Sequence, residues 1–132
     1  MSAWLLQVTA DRSKEMKKLR ARFKLWLSTK DVEGIFGDGK WRLLEAIEAK
    51  GSLSAASKCL HISYRKAWGD LKKAEKYLRI ALLDKQRGGS LGGRSALTAE
   101  GKKWVKAYKL FRQDIEIAVE QAYTKHIKGL VE

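Results

Sequence analysis

Gly51-Ser-Leu-Ser-Ala-Ala-Ser-Lys-Cys-Leu-His-Ile-Ser-Tyr-Arg-Lys-Ala-Trp68 holds one helix stop and two helix starts. Gly51 is a good left-handed stop for a preceding helix. Ser52 caps a short helix from Leu53 to Leu60, with Leu53, Ala56 and Leu60 turned inward. His61-Ile62 is a tight connection, and Ser63 caps a third helix that runs to about Leu78. A link this short forces the two helices to cross steeply, which pushes the second one outward as a probe.

The third helix divides into two faces. Tyr64, Ala67, Leu71, Ala74 and Leu78 form one stripe, expected to pack inward. Arg65, Gly69, Lys72 and Lys76 form the other, with Lys66 and Lys73 beside them. A basic face opposite an apolar one suits a helix lying in the major groove of DNA. Arg65, near the N-terminus, is best placed to pair bidentately with guanine. Lys72, Lys73 and Lys76 lie further along and more naturally meet phosphates. Such a face can also be merely solvated, but the tight junction before it and a basic hairpin after it argue against that. Trp68 sits between the faces. Packing against an upstream strand is favoured for it over a contact with the sugar-phosphate backbone.

Outward from the motif, Phe23-Lys-Leu-Trp-Leu27 alternates and reads as a half-buried strand. Gly34 to Gly39 reads as a loop. Trp41, Leu43, Leu44 and Ile47 then place a helix from Lys40 to Gly51. Downstream, Ile80 to Arg87 and Ser95 to Leu97 read as two strands around a glycine-rich turn, Gly88 to Gly93, bracketed by Arg87 and Arg94. Those glycines allow close approach to a backbone, and the two arginines suit phosphates or a minor groove. Asp11 to Arg20 is expected to be a short basic helix. Thr98 caps a final helix continuing to about Lys128. The expected architecture is mainly α with a small β component: a winged helix-turn-helix plus a long C-terminal dimerisation helix. Residues 1–21 form a basic extension, 22–98 the DNA-binding domain and 99–132 the dimerisation helix.

The charge agrees. Lys and Arg number 28 against 15 Asp and Glu, a net +13 at pH 7. Such an excess attracts a polyanion, with double-stranded DNA ahead of an anionic membrane surface. The expected DNA-facing residues are Ser52, Ser54, Ser63, Tyr64, Arg65, Lys66, Gly69, Lys72, Lys73, Lys76, Arg87 and Arg94.

The quoted stretch resembles the DNA-reading motif of the ModE family of molybdate-responsive transcription regulators, which is related to that of LysR-type regulators. Arg87-Gly-Gly-Ser-Leu-Gly-Gly-Arg-Ser-Ala-Leu-Thr-Ala-Glu-Gly101 resembles that family's wing and the start of its linker helix, and the Gly37-Asp-Gly39 turn also fits. The resemblance covers roughly Phe23 to Phe111, and its most specific part is Ser63-Tyr-x-x-Ala-Trp68 with the double-glycine wing. It implies a sequence-specific transcription regulator; that the operator is an inverted repeat bound by a dimer is expected from the terminal helix. Full-length members continue into molybdate-binding domains, whereas this chain ends at Glu132. Molybdate sensing is therefore not carried over. A separate sensor protein or small molecule is left as the open source of any signal.

On the last helix Trp104, Tyr108, Phe111, Ile115, Ala118 and Ala122 recur at alternating spacings of four and three. So long a seam is expected to pack against its counterpart in a second chain, giving a homodimer. The competing expectation is that it folds back on its own domain. Lys102, Lys103, Lys106, Lys109 and Arg112 come early on this helix and Asp114, Glu116 and Glu120 late, which places the early half nearer DNA.

Other functions find little support. No metal site and no cofactor are expected, because Cys59 is the single cysteine and His61 and His126 lie far apart. No catalytic residue is assigned, and Ser63 is accounted for as a helix cap. No apolar run is long enough to span a membrane, and the start is not a signal peptide, so a cytoplasmic protein is expected. The main alternative is a sequence-neutral architectural or interaction protein that holds DNA by charge alone.

Overall fold

In the computed structural model, residue 14, residues 18–85 and residues 94–132 are described. The elements run β1 (Trp26–Leu27), β2 (Phe36–Gly37), α1 (Asp38–Lys50), α2 (Leu53–Cys59), α3 (Tyr64–Leu78), β3 (Leu83–Lys85), β4 (Ser95–Leu97) and α4 (Ala99–Tyr123). A π-helical stretch, Thr124–Lys128, and a last turn, α5 (Gly129–Val131), follow. The chain forms two compact units, Lys24–Leu110 and a second made of Met1–Phe23 with Phe111–Glu132.

The larger unit is a mainly helical winged helix-turn-helix. Its core is made by Phe36, Leu43, Leu44, Ile47, Leu53, Ala56, Ala67, Leu71, Ala74, Leu82, Leu97 and Tyr108. Of the expected inward positions of the three motif helices, Leu43, Leu44, Ile47, Leu53, Ala56, Ala67, Leu71 and Ala74 are found there, Trp41, Leu60 and Leu78 pack at its edge, and Tyr64 is left out. Gly51 ends α1 with φ 83° and donates its N–H to the Ile47 carbonyl. Ser52 accepts from the Ala55 N–H, and Ser63 accepts from the Lys66 N–H, both at 3.0 Å. The link between α2 and α3 turns on His61, whose φ is 56°. The Ile62 N–H then donates to the Ser57 carbonyl at 3.0 Å, closing the corner.

Several boundaries differ from the sequence reading. The segment Gly34 to Gly39 is not a loop. Ile35, Phe36 and Gly37 are buried, and β2 pairs antiparallel with β1, Trp26 opposite Gly37 and Leu27 opposite Phe36. The helix α1 starts at Asp38 rather than Lys40, because the Asp38 carboxylate holds the Leu25 N–H at 3.1 Å and the Asp38 N–H holds the Leu25 carbonyl at 2.9 Å. The alternation from Phe23 to Leu27 holds in burial, although only Trp26 and Leu27 are paired as strand. The wing pairs Leu83 with Leu97, Asp84 with Ala96 and Lys85 with Ser95, a shorter ladder than Ile80 to Arg87. Most of the expected basic helix from Asp11, and the glycine-rich tip, lie outside the described residues.

The largest correction concerns α4. Tyr108 is 2% exposed, and its ring meets Phe36 edge-on at 5.2 Å and Trp41 at 5.6 Å. Trp104 packs against Phe36 at 5.1 Å. Both were expected in a dimer seam, yet they complete the core of their own unit. The larger compact unit runs on to Leu110, past residue 98. Phe36, the apolar surface that Trp104 and Tyr108 cover, came from a segment expected to be a loop.

The smaller unit carries contacts of its own. The Tyr123 hydroxyl donates to the Leu19 carbonyl at 3.0 Å, and the Arg112 guanidinium lies 4.7 Å from the Phe23 ring centre. Phe111 is 38% and Ile117 58% exposed, Ile115 and Val119 are half-buried, and Ala118 and Ala122 are exposed.

Candidate nucleic-acid interface

The reading helix α3 is fixed at its start by Ser63 and at its end by Arg79, which adopts the left-handed conformation with φ 56°. Ala67, Leu71 and Ala74 hold it to the core, so the opposite side is turned outward. Arg65, Gly69, Lys72 and Lys76 are all exposed there. Arg65 has no intramolecular partner among the described residues. Its guanidinium stays available, next to the helix N-terminus, for a bidentate contact.

The lysines are not equivalent. Lys66 is tied to Asp70 at 3.0 Å, one turn along. Lys72 lies 3.1 Å from Glu75 and 5.6 Å from the centre of the Trp68 ring. The Lys73 ammonium donates to the Glu33 carbonyl at 2.8 Å, which anchors α3 to the β1–β2 hairpin. Lys40, from α1, donates to the next carbonyl, that of Gly34, at 2.7 Å. Burial there lowers the Lys40 pKa, with attraction to Asp70 opposing and repulsion from Lys73 and Lys66 adding to it. Lys76 lies 5.3 Å from the centre of the Tyr77 ring, on the solvent side. These contacts splay the basic groups along the helix, with Lys73 drawn to one flank.

Two aromatic residues depart from expectation. Tyr64 is 50% exposed and does not join the inward stripe. It is the first helical residue, where the core contacts of α3 have not yet begun. Trp68 is 41% exposed and lies outside the hydrophobic core, with Lys72 over its ring. The rings therefore flank the basic face.

Glu75 was not singled out from the sequence. Its carboxylate accepts from the Leu82 N–H at 2.7 Å and the Leu83 N–H at 3.3 Å, so the reading helix carries the first strand of the wing. The other strand is tied down as well. The Ser95 N–H donates to the Gly51 carbonyl at 3.1 Å, and the Thr98 N–H to the Leu82 carbonyl at 3.0 Å. An acidic residue inside a basic helix was the available signal for Glu75. Nothing in the local sequence named Leu82 and Leu83 as its partners. Arg94 is exposed just before β4; Arg87 lies outside the described residues. Ser54 is exposed on α2, and its carbonyl accepts from the Ser57 hydroxyl at 2.8 Å.

Among the described residues no three metal-binding side chains come together, and no helix is long and apolar enough to cross a membrane.

Residues 39–102 match the bacterial regulatory helix-turn-helix proteins of the lysR family. The chain is 32% identical over 91 residues to the molybdenum transport protein ModE of Azotobacter vinelandii, covering 69% of this chain and 34% of that protein. It is 33% identical over 96 residues to the transcriptional regulator ModE of Haemophilus influenzae, covering 72% and 38%. It thus spans about a third of the length of these relatives. The solved structure of a CbnR DBD–DNA complex superposes with a TM-score of 0.55 at 20% identity, over 66% of this chain and 94% of that one. That likeness concerns the fold. In sequence, residues 39–102 are similar to the lysR-family helix-turn-helix, and the chain is similar to ModE proteins over about a third of their length.

Proposed function

We propose that the chain is a transcription regulator of the ModE type that binds an inverted-repeat DNA operator as a homodimer. The observation that carries this reading is the exposed Arg65, without a partner among the described residues, on the capped outward helix α3, among lysines that are partnered on its flanks. A helix carried this way presents one guanidinium to base edges and leaves ammonium groups for the phosphates beside them. The wing, held to α3 by Glu75, would place Arg94 against the adjoining backbone. Two relatives of the same sequence type, one of them named a transcriptional regulator, support this reading. The homodimer part rests on the exposed Phe111 and Ile117 and their neighbours Ile115, Ala118 and Ala122.

The test is selection of duplexes from a randomised pool by the intact protein, followed by titration of the selected and a scrambled duplex at several salt concentrations. A specific regulator prefers the selected duplex by about a thousandfold or more, above a background that falls steeply with salt. Equal binding of both duplexes at every salt concentration would make this a sequence-neutral DNA-binding protein.

A further inference from the structure

Gly69 stands in the middle of the outward face of α3, one turn after Arg65 and one and two turns before Lys72 and Lys76. Glycine in a helix interior is destabilising relative to alanine. At Gly37 and Gly101 the fold itself demands glycine, whereas Gly39, in the first turn of α1, has open space at its Cβ among the described residues. A Cβ at Gly37 would meet Trp26 Cβ at 2.6 Å, and one at Gly101 would run into the Leu82 carbonyl oxygen. Among the described residues a Cβ at Gly69 would meet nothing within 4 Å, and the backbone there is not left-handed. The chain's own packing therefore gives no reason for a side chain to be missing at this point.

A partner on the open side supplies the reason. We propose that Gly69 is a specificity-determining residue, whose missing side chain lets the α3 backbone seat on the base-pair edges of the major groove, at a depth where Arg65 reaches a base. The inference rests on the regulator reading given above. A bidentate arginine contact tolerates little change in distance, and a methyl group at the centre of the face lifts the whole helix. Lys72 and Lys76 follow phosphates with long, flexible stems and adapt to such a shift. The loss therefore falls on base readout ahead of backbone attraction.

The experiment compares wild type with Gly69→Ala and Gly69→Leu, using the duplex that wild type selects from a randomised pool and a scrambled duplex, together with thermal unfolding. Gly69→Ala should raise Tm by roughly 2–8 °C. It should weaken binding to the selected duplex about tenfold or more, with less than about a threefold change on the scrambled one. Gly69→Leu should lose the preference more completely. Three outcomes would overturn the inference. They are a lowered Tm for Gly69→Ala, an unchanged preference in both variants, and equal weakening on both duplexes. A wild type that prefers no duplex overturns the regulator reading itself, and this inference with it.

Discussion

The Tyr108 hydroxyl lies 2.7 Å from Asp38 Oδ1 and 2.9 Å from the Leu25 carbonyl oxygen. Its single proton can serve either acceptor, and both belong to the junction where the β1–β2 hairpin meets α1. Asp38 also accepts from the Leu25 N–H. One buried phenol thus ties the long helix to the N-terminal edge of the domain. Tyr108→Phe keeps the ring contacts with Phe36 and Trp41 and removes the hydroxyl. It should cost about 1–3 kcal/mol in urea unfolding, as expected for a hydrogen bond to a charged group. Oligomeric state should not change. Unaltered stability together with a lost oligomer would return Tyr108 to an intermolecular seam.

Arg65 is the residue from which base readout is expected. Arg65→Ala should reduce the preference for the selected duplex over a scrambled one by about 1–3 kcal/mol. Stability should be unaffected, because Arg65 has no partner among the described residues. Equal losses on the two duplexes would identify it as a phosphate contact.

Lys73 and Lys76 should separate in a salt titration, although the sequence presents them alike. Lys76 is turned to solvent, and Lys76→Ala should lower the salt slope of DNA binding by about one. The Lys73 ammonium is held by the Glu33 carbonyl. Lys73→Ala should change the slope less and cost about 0.5–1.5 kcal/mol of stability. Matching slopes and unaltered stability for the two variants would show that the Glu33 contact gives way to phosphate when DNA binds.

Glu75 joins the reading helix to the wing through the Leu82 and Leu83 amides. Leu82 is fully buried, so its amide has no water to fall back on once the carboxylate is gone. Glu75→Ala should therefore cost about 1–3 kcal/mol, while Glu75→Gln, which keeps an acceptor oxygen, should cost less. Amide exchange at Leu82 and Leu83 is the direct readout, and unchanged protection there in Glu75→Ala would rule the tether out.

What could be read from sequence follows how local the cause is. Ser52 and Ser63 cap helices through atoms three residues away, and both starts were readable. The inward stripe Ala67, Leu71 and Ala74 follows from helical period alone. The contacts that set the site apart from a generic basic helix span long separations. Lys73 reaches Glu33 across 40 residues and Tyr108 reaches Asp38 across 70. An apolar stripe also does not say what covers it. Trp104 and Tyr108 fit a dimer seam by spacing, but they are covered by Phe36, a residue hidden between glycines in what read as a loop. Tyr64 satisfied the inward period, yet it sits at the first turn of α3, beyond the reach of the core.

The homodimer prediction changes with the position of that core. Removing everything after Thr98 would take away Trp104 and Tyr108 and leave Phe36 uncovered, so such a fragment should unfold rather than report on assembly. The informative changes lie beyond Leu110, where Phe111 and Ile117 are exposed and Ile115 is half-buried. Phe111→Asp combined with Ile115→Asp puts charge into the remaining seam and leaves the core of the larger unit untouched. In sedimentation equilibrium the intact chain should be a dimer at tens of micromolar and the double variant a monomer, with unchanged thermal unfolding of the DNA-binding unit. Two reading heads on a two-fold axis bind half-sites about 34–36 Å apart. Linking them raises the effective concentration of the second, so the monomeric variant should bind the selected duplex far more weakly and still bind an isolated half-site. A wild type that sediments as a monomer, unchanged by the double substitution, would mean that a single head reads the DNA and that the selected sites are not inverted repeats.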